Sequence, residues 1–263
     1  MVKLGNSLKK LYIGLIVFFL YAPILVLVVL SFNKSKFRNQ WGGFTLDWYR
    51  SLFSNDEVMS ALGTTLLIAL CAALIASIIG TAAAFAINKM KKIPKALTLG
   101  ITNIPMLNAD IVTAISLMLL FTALGFTFGF FSVLLAHITF SIPYVVLSVM
   151  PKLSQMSRAN YEAALDLGAT PFQAFRKVVF PEILPGVLSG FMLAFTMSLD
   201  DFIITWFTTS PDIHTLSTVI YSMQRRGISP EIYALSTLMF VVIVVLLILC
   251  GRTQNKNQKK ARS

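Results

Sequence analysis

Asp200 and Asp201 stand side by side in FMLAFTMSLDDFIITWF, residues 191–207, a run otherwise apolar enough to sit in a bilayer. A charge at bilayer depth costs at least ~2.5 kcal/mol, and such residues usually face an interior or a water-filled path. Three kinds of chemistry would use such carboxylates: sharing a proton, holding a cation, or capping a broken helix. On one continuous helix, neighbours point about 100° apart, so the two cannot share a face. Ser198, Asp201, Thr205 and Thr208 then form a polar stripe, while Asp200 falls with Thr196, Ile203, Ile204 and Phe207. The stripe predicts that Asp201 faces a translocation cavity and that Asp200 packs against another helix or a partner chain. The divergence argues against a proton-sharing pair of the aspartyl-protease type. A helix break remains open, because Ser198-x-x-Asp201 also fits a capping box. Asp110 carries the same ambiguity: Asn108-Ala109-Asp110 either caps a helix resuming at Ile111 or lines the path. The apolar runs hold these three carboxylates and no Lys or Arg well inside, which suits a cationic ligand. His137 reads as a hydrogen-bonded interior residue, and Trp206 and Tyr221 as interfacial aromatics.

The elements that must position these groups are transmembrane helices. The chain has 263 residues, is 56% hydrophobic and 13% charged, and has a mean hydropathy of +0.77. A soluble domain averages nearer ~25% charged. A spanning helix needs about 20 mostly apolar residues, and six stretches qualify: 11–32, 62–87, 97–124, 130–150, 187–209 and 232–250. The third would be ~42 Å long as one helix, well over the ~30 Å hydrocarbon core, and Pro105, Asn108 and Asp110 interrupt it; a break or tilt is expected there. The first stretch has Pro23 and no small-x-small cleavage site, so it reads as an uncleaved span. Lys and Arg concentrate in 1–10, 88–96, 151–186 and 251–263, which places those segments and both termini in the cytoplasm. The net charge of +11 is therefore a topology signal in a chain embedded in the lipid bilayer, and a nucleic-acid partner is dropped. The chain thus divides into a cytoplasmic N-terminus (1–10), a transmembrane domain (11–250) and a basic cytoplasmic tail (251–263). Residues 33–61 and 210–231 are the longer external loops. Cys71 and Cys250 lie in separate apolar runs and suggest no disulfide framework.

The cytoplasmic loop at 151–186 is more than a linker. ANYEAALDLGATPFQAFRKVVFPEILPGV reads as two short helices. In the first, Tyr161, Ala164, Leu165 and Gly168 share a face, with Gly168 where a left-handed terminus is wanted. Thr170-Pro171-Phe172-Gln173 then supplies an N-cap, a first-turn proline and a capping-box glutamine. Phe172, Phe175 and Val179 give the second helix an apolar face, and Pro181 and Pro185 are expected to end it. Pattern alone also allows an amphipathic hairpin on the membrane surface.

The spacing of Glu162, Ala163, Ala164, Gly168 and Pro185 resembles the EAA loop of permease subunits in ATP-binding-cassette (ABC) importers. That resemblance implies an all-α integral membrane protein with the type I ABC importer permease fold. It implies that the loop docks into a groove of an ATPase, with Glu162 meeting a basic residue and Ala163, Ala164 and Gly168 permitting close approach. The chain has no Gly-Lys dipeptide and so no GxxxxGK[ST] phosphate loop. ATP and Mg would be bound by partner ATPase subunits, with no cofactor on this chain and no enzymatic activity of its own. SFNKSKFRNQWGGFTLDWYRSLF (31–53), NADIVTAISLMLLF (108–121), HITFSIPYVV (137–146), SLDDFIITWFTTSP and IYSMQRRGISPEIYALSTL (198–238) resemble spermidine/putrescine permeases, specifically the second of their two permease chains. This implies a different second permease chain, two ATPase subunits, an extracellular binding protein and a place in the bacterial plasma membrane. Asp201, Asp110, Asp200, Thr205 and Ser198 would then line the substrate pathway. Permeases for Fe(III), thiamine or phosphonate compounds share much of this framework and stand as alternatives. An ion-driven secondary transporter would leave the loop idle.

Overall fold

The computed structural model describes residues 2–37, 39–226, 230–242, 244 and 245. The described residues form helices with no extended strand; a single bridge pairs Asn33 with Phe44. Contacts divide the described residues into two compact units: those of 2–59 with those of 219–245, and 60–218.

In the first unit, α1 (Val2–Ser31) leads into a turn and then α2 (Asp47–Phe53). Asn33 organises the turn: its side chain donates to the Gln40 carbonyl and accepts from the backbone of Ser35 and Gly42. Trp48 Nε1 donates to the Asn33 carbonyl at 2.8 Å. The unit also holds the apolar helix α12 (Pro230–Val242), whose Glu231 accepts from Ser51 of α2 at 2.7 Å.

The second unit carries the site. Its main elements are α3 (Asp56–Lys89), which begins in the first unit, then α4 (Lys92–Leu107), α5 (Asp110–Ala123) and α6 (Phe130–Gln155). The loop helices α7 (Arg158–Asp166) and α8 (Pro171–Ala174) follow, then a π turn (Phe175–Val179), α9 (Phe180–Asp200) and α10 (Ile203–Thr208). The last helix before α12 is α11 (Leu216–Arg226), which runs into the first unit.

Small residues set how closely these helices approach. The core joins Ala73, Ala76 and Ala84 of α3, Val145, Val146 and Val149 of α6, and Ile183 and Ala194 of α9. A Cβ on Gly80 would sit 2.7 Å from Val145 Cβ, and one on Gly190 would sit 3.1 Å from Val145 Cα. One valine of α6 therefore fills the space left by glycines of both α3 and α9. In a membrane, where burial alone does not drive helices together, such close packing supplies much of their association. Gly80→Val accordingly lowers the thermal stability of the purified chain, by roughly 1–3 kcal/mol as for other overpacked cores. An unchanged melting temperature in detergent would contradict this packing.

Four helices among the described residues are long and apolar enough to cross a membrane, and five if one bent pair counts as a single span. That pair is α4 and α5, which meet at 104°. The break expected in 97–124 thus falls at Asn108–Ala109, three residues past Pro105, where both residues are extended. Of the expected sixth span, 232–250, the described residues 232–242 belong to the shorter apolar helix α12, and 243 and 246–250 lie outside the described residues.

The fifth span differs from expectation. The second loop helix does not stop at Pro181 or Pro185; an unbroken apolar helix runs from Pro171 to Asp200. The π turn precedes Pro181, and Phe180 N–H bonds the Phe175 carbonyl five residues back. This widened turn accommodates a proline that a regular α-helix would exclude. The stretch 187–209 is also not one helix, because α9 ends at Asp200 and α10 begins at Ile203.

Candidate functional site

The break after Asp200 has a cause in the residues around it. Asp201 is extended (φ −67°, ψ 130°). Its carboxylate accepts from Ile204 N–H at 3.2 Å, Thr205 N–H at 2.7 Å and the Thr205 hydroxyl at 2.9 Å. It thereby satisfies the free backbone donors at the start of α10, as an N-terminal cap does. The backbone on the other side is also tied, since Ser217 Oγ donates to the Asp201 carbonyl at 2.7 Å.

His137 of α6 completes the cluster. It is 1% exposed; Nδ1 lies 2.6 Å from Ser198 Oγ, and Nε2 lies 2.9 Å from Thr205 Oγ1 and 3.4 Å from Asp201 Oδ2. One proton arrangement satisfies every group. Ser198 donates to Nδ1, Nε2–H donates to Thr205, and Thr205 donates to Asp201. Ser198, His137, Asp201 and Thr205 thus form a closed polar knot joining α6, α9 and α10. The knot brings a serine, a histidine and an aspartate together; Ser198 and Asp201 are near neighbours in the chain, whereas nothing local in the sequence connects His137 to them. Ser198 is only 3% exposed, and its hydroxyl is engaged by His137.

The two carboxylates therefore have different surroundings. The polar stripe required an unbroken helix, and the chain breaks where the stripe would begin to matter. Asp201, with its side chain 10% exposed, is occupied by the knot. Asp200 ends α9 and is exposed.

Beside the break lies a cavity of about 380 Å³, in the size range of small-ligand sites. Asp110, Asp200 and Asp201 all reach its wall, with Thr113, Thr196, Phe140, Tyr144 and Phe202 among the other lining residues, and no lysine or arginine is among them. Both helix breaks feed this one space: Asp110 opens α5 after the bend, and Asp200 closes α9. Ala114, Leu117 and Phe121 of α5, Ala136 and Phe140 of α6, and Ile204 of α10 pack together and hold the wall in place. Asp110 is exposed, and no side chain caps the start of α5. An acidic, aromatic-walled cavity is chemically suited to an organic cation. Phe140 and Tyr144, one helical turn apart on α6, were not singled out from the sequence; HITFSIPYVV contains them, but nothing local marks them as facing the carboxylates.

The 151–186 loop has the expected local chemistry. Gly168 has φ +83°; its N–H bonds the Leu165 carbonyl, and Ala169 N–H bonds that of Ala164. These are the two bonds of a Schellman ending. Thr170 and Gln173 form the reciprocal capping box, at 3.3 and 3.0 Å. Glu162 and Ala163 are exposed, Ala164 is half-buried, and Pro185 lies inside α9. One expectation fails: Phe172 is 71% exposed, whereas Val179 is fully buried and Phe175 packs on the core. Phe172 sits in the first turn of α8, ahead of the π turn, and does not share the buried face of Phe175 and Val179.

Residues 76–261 match the family described as "Binding-protein-dependent transport system inner membrane component". The spermidine/putrescine transport system permease protein PotC of Escherichia coli (strain K12) is 40% identical over 245 residues, covering 93% of both chains. The putrescine transport system permease protein PotI of the same strain is 40% identical over 236 residues, covering 87% of this chain and 84% of PotI. Among solved structures, a bacterial ABC transporter involved in import of the acidic polysaccharide alginate aligns with a TM-score of 0.73. That alignment covers 97% of each chain at 16% identity, a likeness of fold.

Proposed function

The chain belongs to the family of inner membrane components of binding-protein-dependent transport systems, and from that premise we propose that it is a polyamine permease subunit of an ABC importer. The observation that carries the substrate is the cavity, where three carboxylates and three aromatic rings converge with no basic side chain. Putrescine and spermidine are flexible polycations whose ammonium groups suit carboxylates and whose methylenes suit ring faces. A phosphonate would meet repulsion in the same space.

In this reading the chain has six spans with both termini in the cytoplasm, a permease domain over 11–250 and a basic tail over 251–263. Asp200 and Asp110 contact the cation directly. Asp201, Ser198 and Thr205 shape the pathway by fixing the break. The loop around Glu162, Ala163, Ala164 and Gly168 meets one of two ATPase subunits, which bind ATP and Mg, and Pro185 shapes the helix leaving it. A second, different permease chain completes the membrane part, and an external binding protein delivers the substrate. ATP-driven closure of the ATPase pair and docking of the binding protein bias one two-state equilibrium from opposite sides.

The test is uptake of labelled putrescine and spermidine in cells with and without this chain, with thiamine and Fe(III) as competitors. Polyamine uptake should depend on the chain and resist both competitors. Chain-dependent uptake of thiamine or Fe(III) instead would keep the permease reading and overturn the substrate.

A further inference from the structure

Lys89 closes α3 in a segment whose positive charge the sequence explains as topology alone. In the structure its Nζ lies over two rings, 4.3 Å from the centroid of Phe85 and 4.9 Å from that of Tyr161. Phe85 meets Tyr161 edge-on at 6.4 Å and Phe175 edge-on at 5.0 Å. These are favoured geometries for aromatic pairs and for a cation on a ring face. Three elements therefore meet at one joint: the end of α3, the loop helix α7 and the π turn. Asn88 pins the same end of α3, donating to the Leu153 carbonyl of α6 at 3.5 Å and accepting from Lys95 at 2.9 Å.

The two sides of the joint differ in their ties. On α7, Tyr161 packs against the main core, while its neighbour Glu162 is exposed. On the other side, Phe175 opens the π turn, and the helix continues from there without interruption to Asp200 at the cavity. Displacement of α7 has a short physical route to the cavity carboxylates: Tyr161 to Phe85, Phe85 to Phe175, Phe175 along α9. The π turn, a widened helical turn, is where such a rod yields most easily.

We propose that Lys89, Phe85, Tyr161 and Phe175 are positioning residues for transport, forming a cation-aromatic joint that converts movement of α7 into movement of α9. The proposal rests on the permease reading above, and its measurement separates the two. The complete transporter, reconstituted with its binding protein, is assayed for putrescine or spermidine imported per ATP hydrolysed. Lys89→Met and Tyr161→Leu should lower that ratio by about fivefold or more, as loss of an allosteric coupling does. Lys89→Arg and Tyr161→Phe, which keep a cation and a ring, should hold it within about twofold. An unchanged ratio in Lys89→Met and Tyr161→Leu overturns the joint, and so does a parallel fall of import and ATP hydrolysis with the amount of assembled complex. Failure of the wild type to import either polyamine would count against the substrate reading. The joint is then judged by stimulation of ATP hydrolysis by the binding protein, lost in Lys89→Met and kept in Lys89→Arg.

Discussion

Gly168→Val lowers ATP-driven uptake by about tenfold or more while leaving the amount of chain in the membrane unchanged. The backbone at Gly168 has φ +83°, a region where a β-branched residue is a strong outlier and where glycine is the usual helix terminator. The substitution breaks the Schellman bonds from Gly168 and Ala169 and misaims the two loop helices. It does not collide with anything, since a Cβ there would meet no atom within 4 Å. The damage is thus confined to the aim of the loop. A graded series follows from the same geometry: Asn, which tolerates the left-handed region, is mild, Ala is intermediate and Val is severe. Glu162→Arg, at an exposed position six residues earlier, should resemble Val in transport and the wild type in insertion. Both are read by uptake in cells against immunodetected membrane protein. Full uptake by Gly168→Val and Glu162→Arg would remove the loop from the transport machinery.

The loop was legible because its signals are local. Gly168, Thr170, Pro171 and Gln173 act on backbone groups within a few residues, so the Schellman ending and the capping box can be read off the chain. The bend at Asn108–Ala109 was legible for a similar reason, since Pro105 and an over-long apolar run both lie in the same segment. The break at Asp201 was legible only as an open alternative, in the Ser198-x-x-Asp201 pattern. No proline or glycine marks it, and it depends on His137, a residue of another helix that reaches Ser198 and Thr205 together. The same holds for the π turn, which carried the helix through Pro181. Periodicity assumes a constant angle per residue, and both errors arise where that angle changes. The cavity itself is a property of two breaks meeting in space, although each of its carboxylates stood out as a charge in an apolar run.

That geometry makes adjacent carboxylates fail in different ways. Asp201→Ala removes three hydrogen bonds to the start of α10 and leaves the Thr205 hydroxyl and backbone N–H short of an acceptor. Loss of a cap costs about 0.5–2 kcal/mol, and a buried hydrogen bond to a charged group is worth about 1.5–3 kcal/mol. A destabilisation of about 2–4 kcal/mol is expected, seen as a lower melting temperature in detergent and less chain in the membrane. Asp201→Asn keeps the shape and an acceptor oxygen, so it should fall between the alanine variant and the wild type. Asp200→Asn touches none of these bonds. Its carboxylate is exposed on the cavity wall, so stability should hold while the KM for polyamine rises, by roughly tenfold for one lost charged contact. Asp110→Asn should behave like Asp200→Asn, because its side chain caps nothing. Melting curves and uptake kinetics on the same four variants decide the matter. If Asp200→Asn unfolds the chain, or if Asp201→Ala is as stable as the wild type, the division into a fixing carboxylate and a substrate-facing one is wrong.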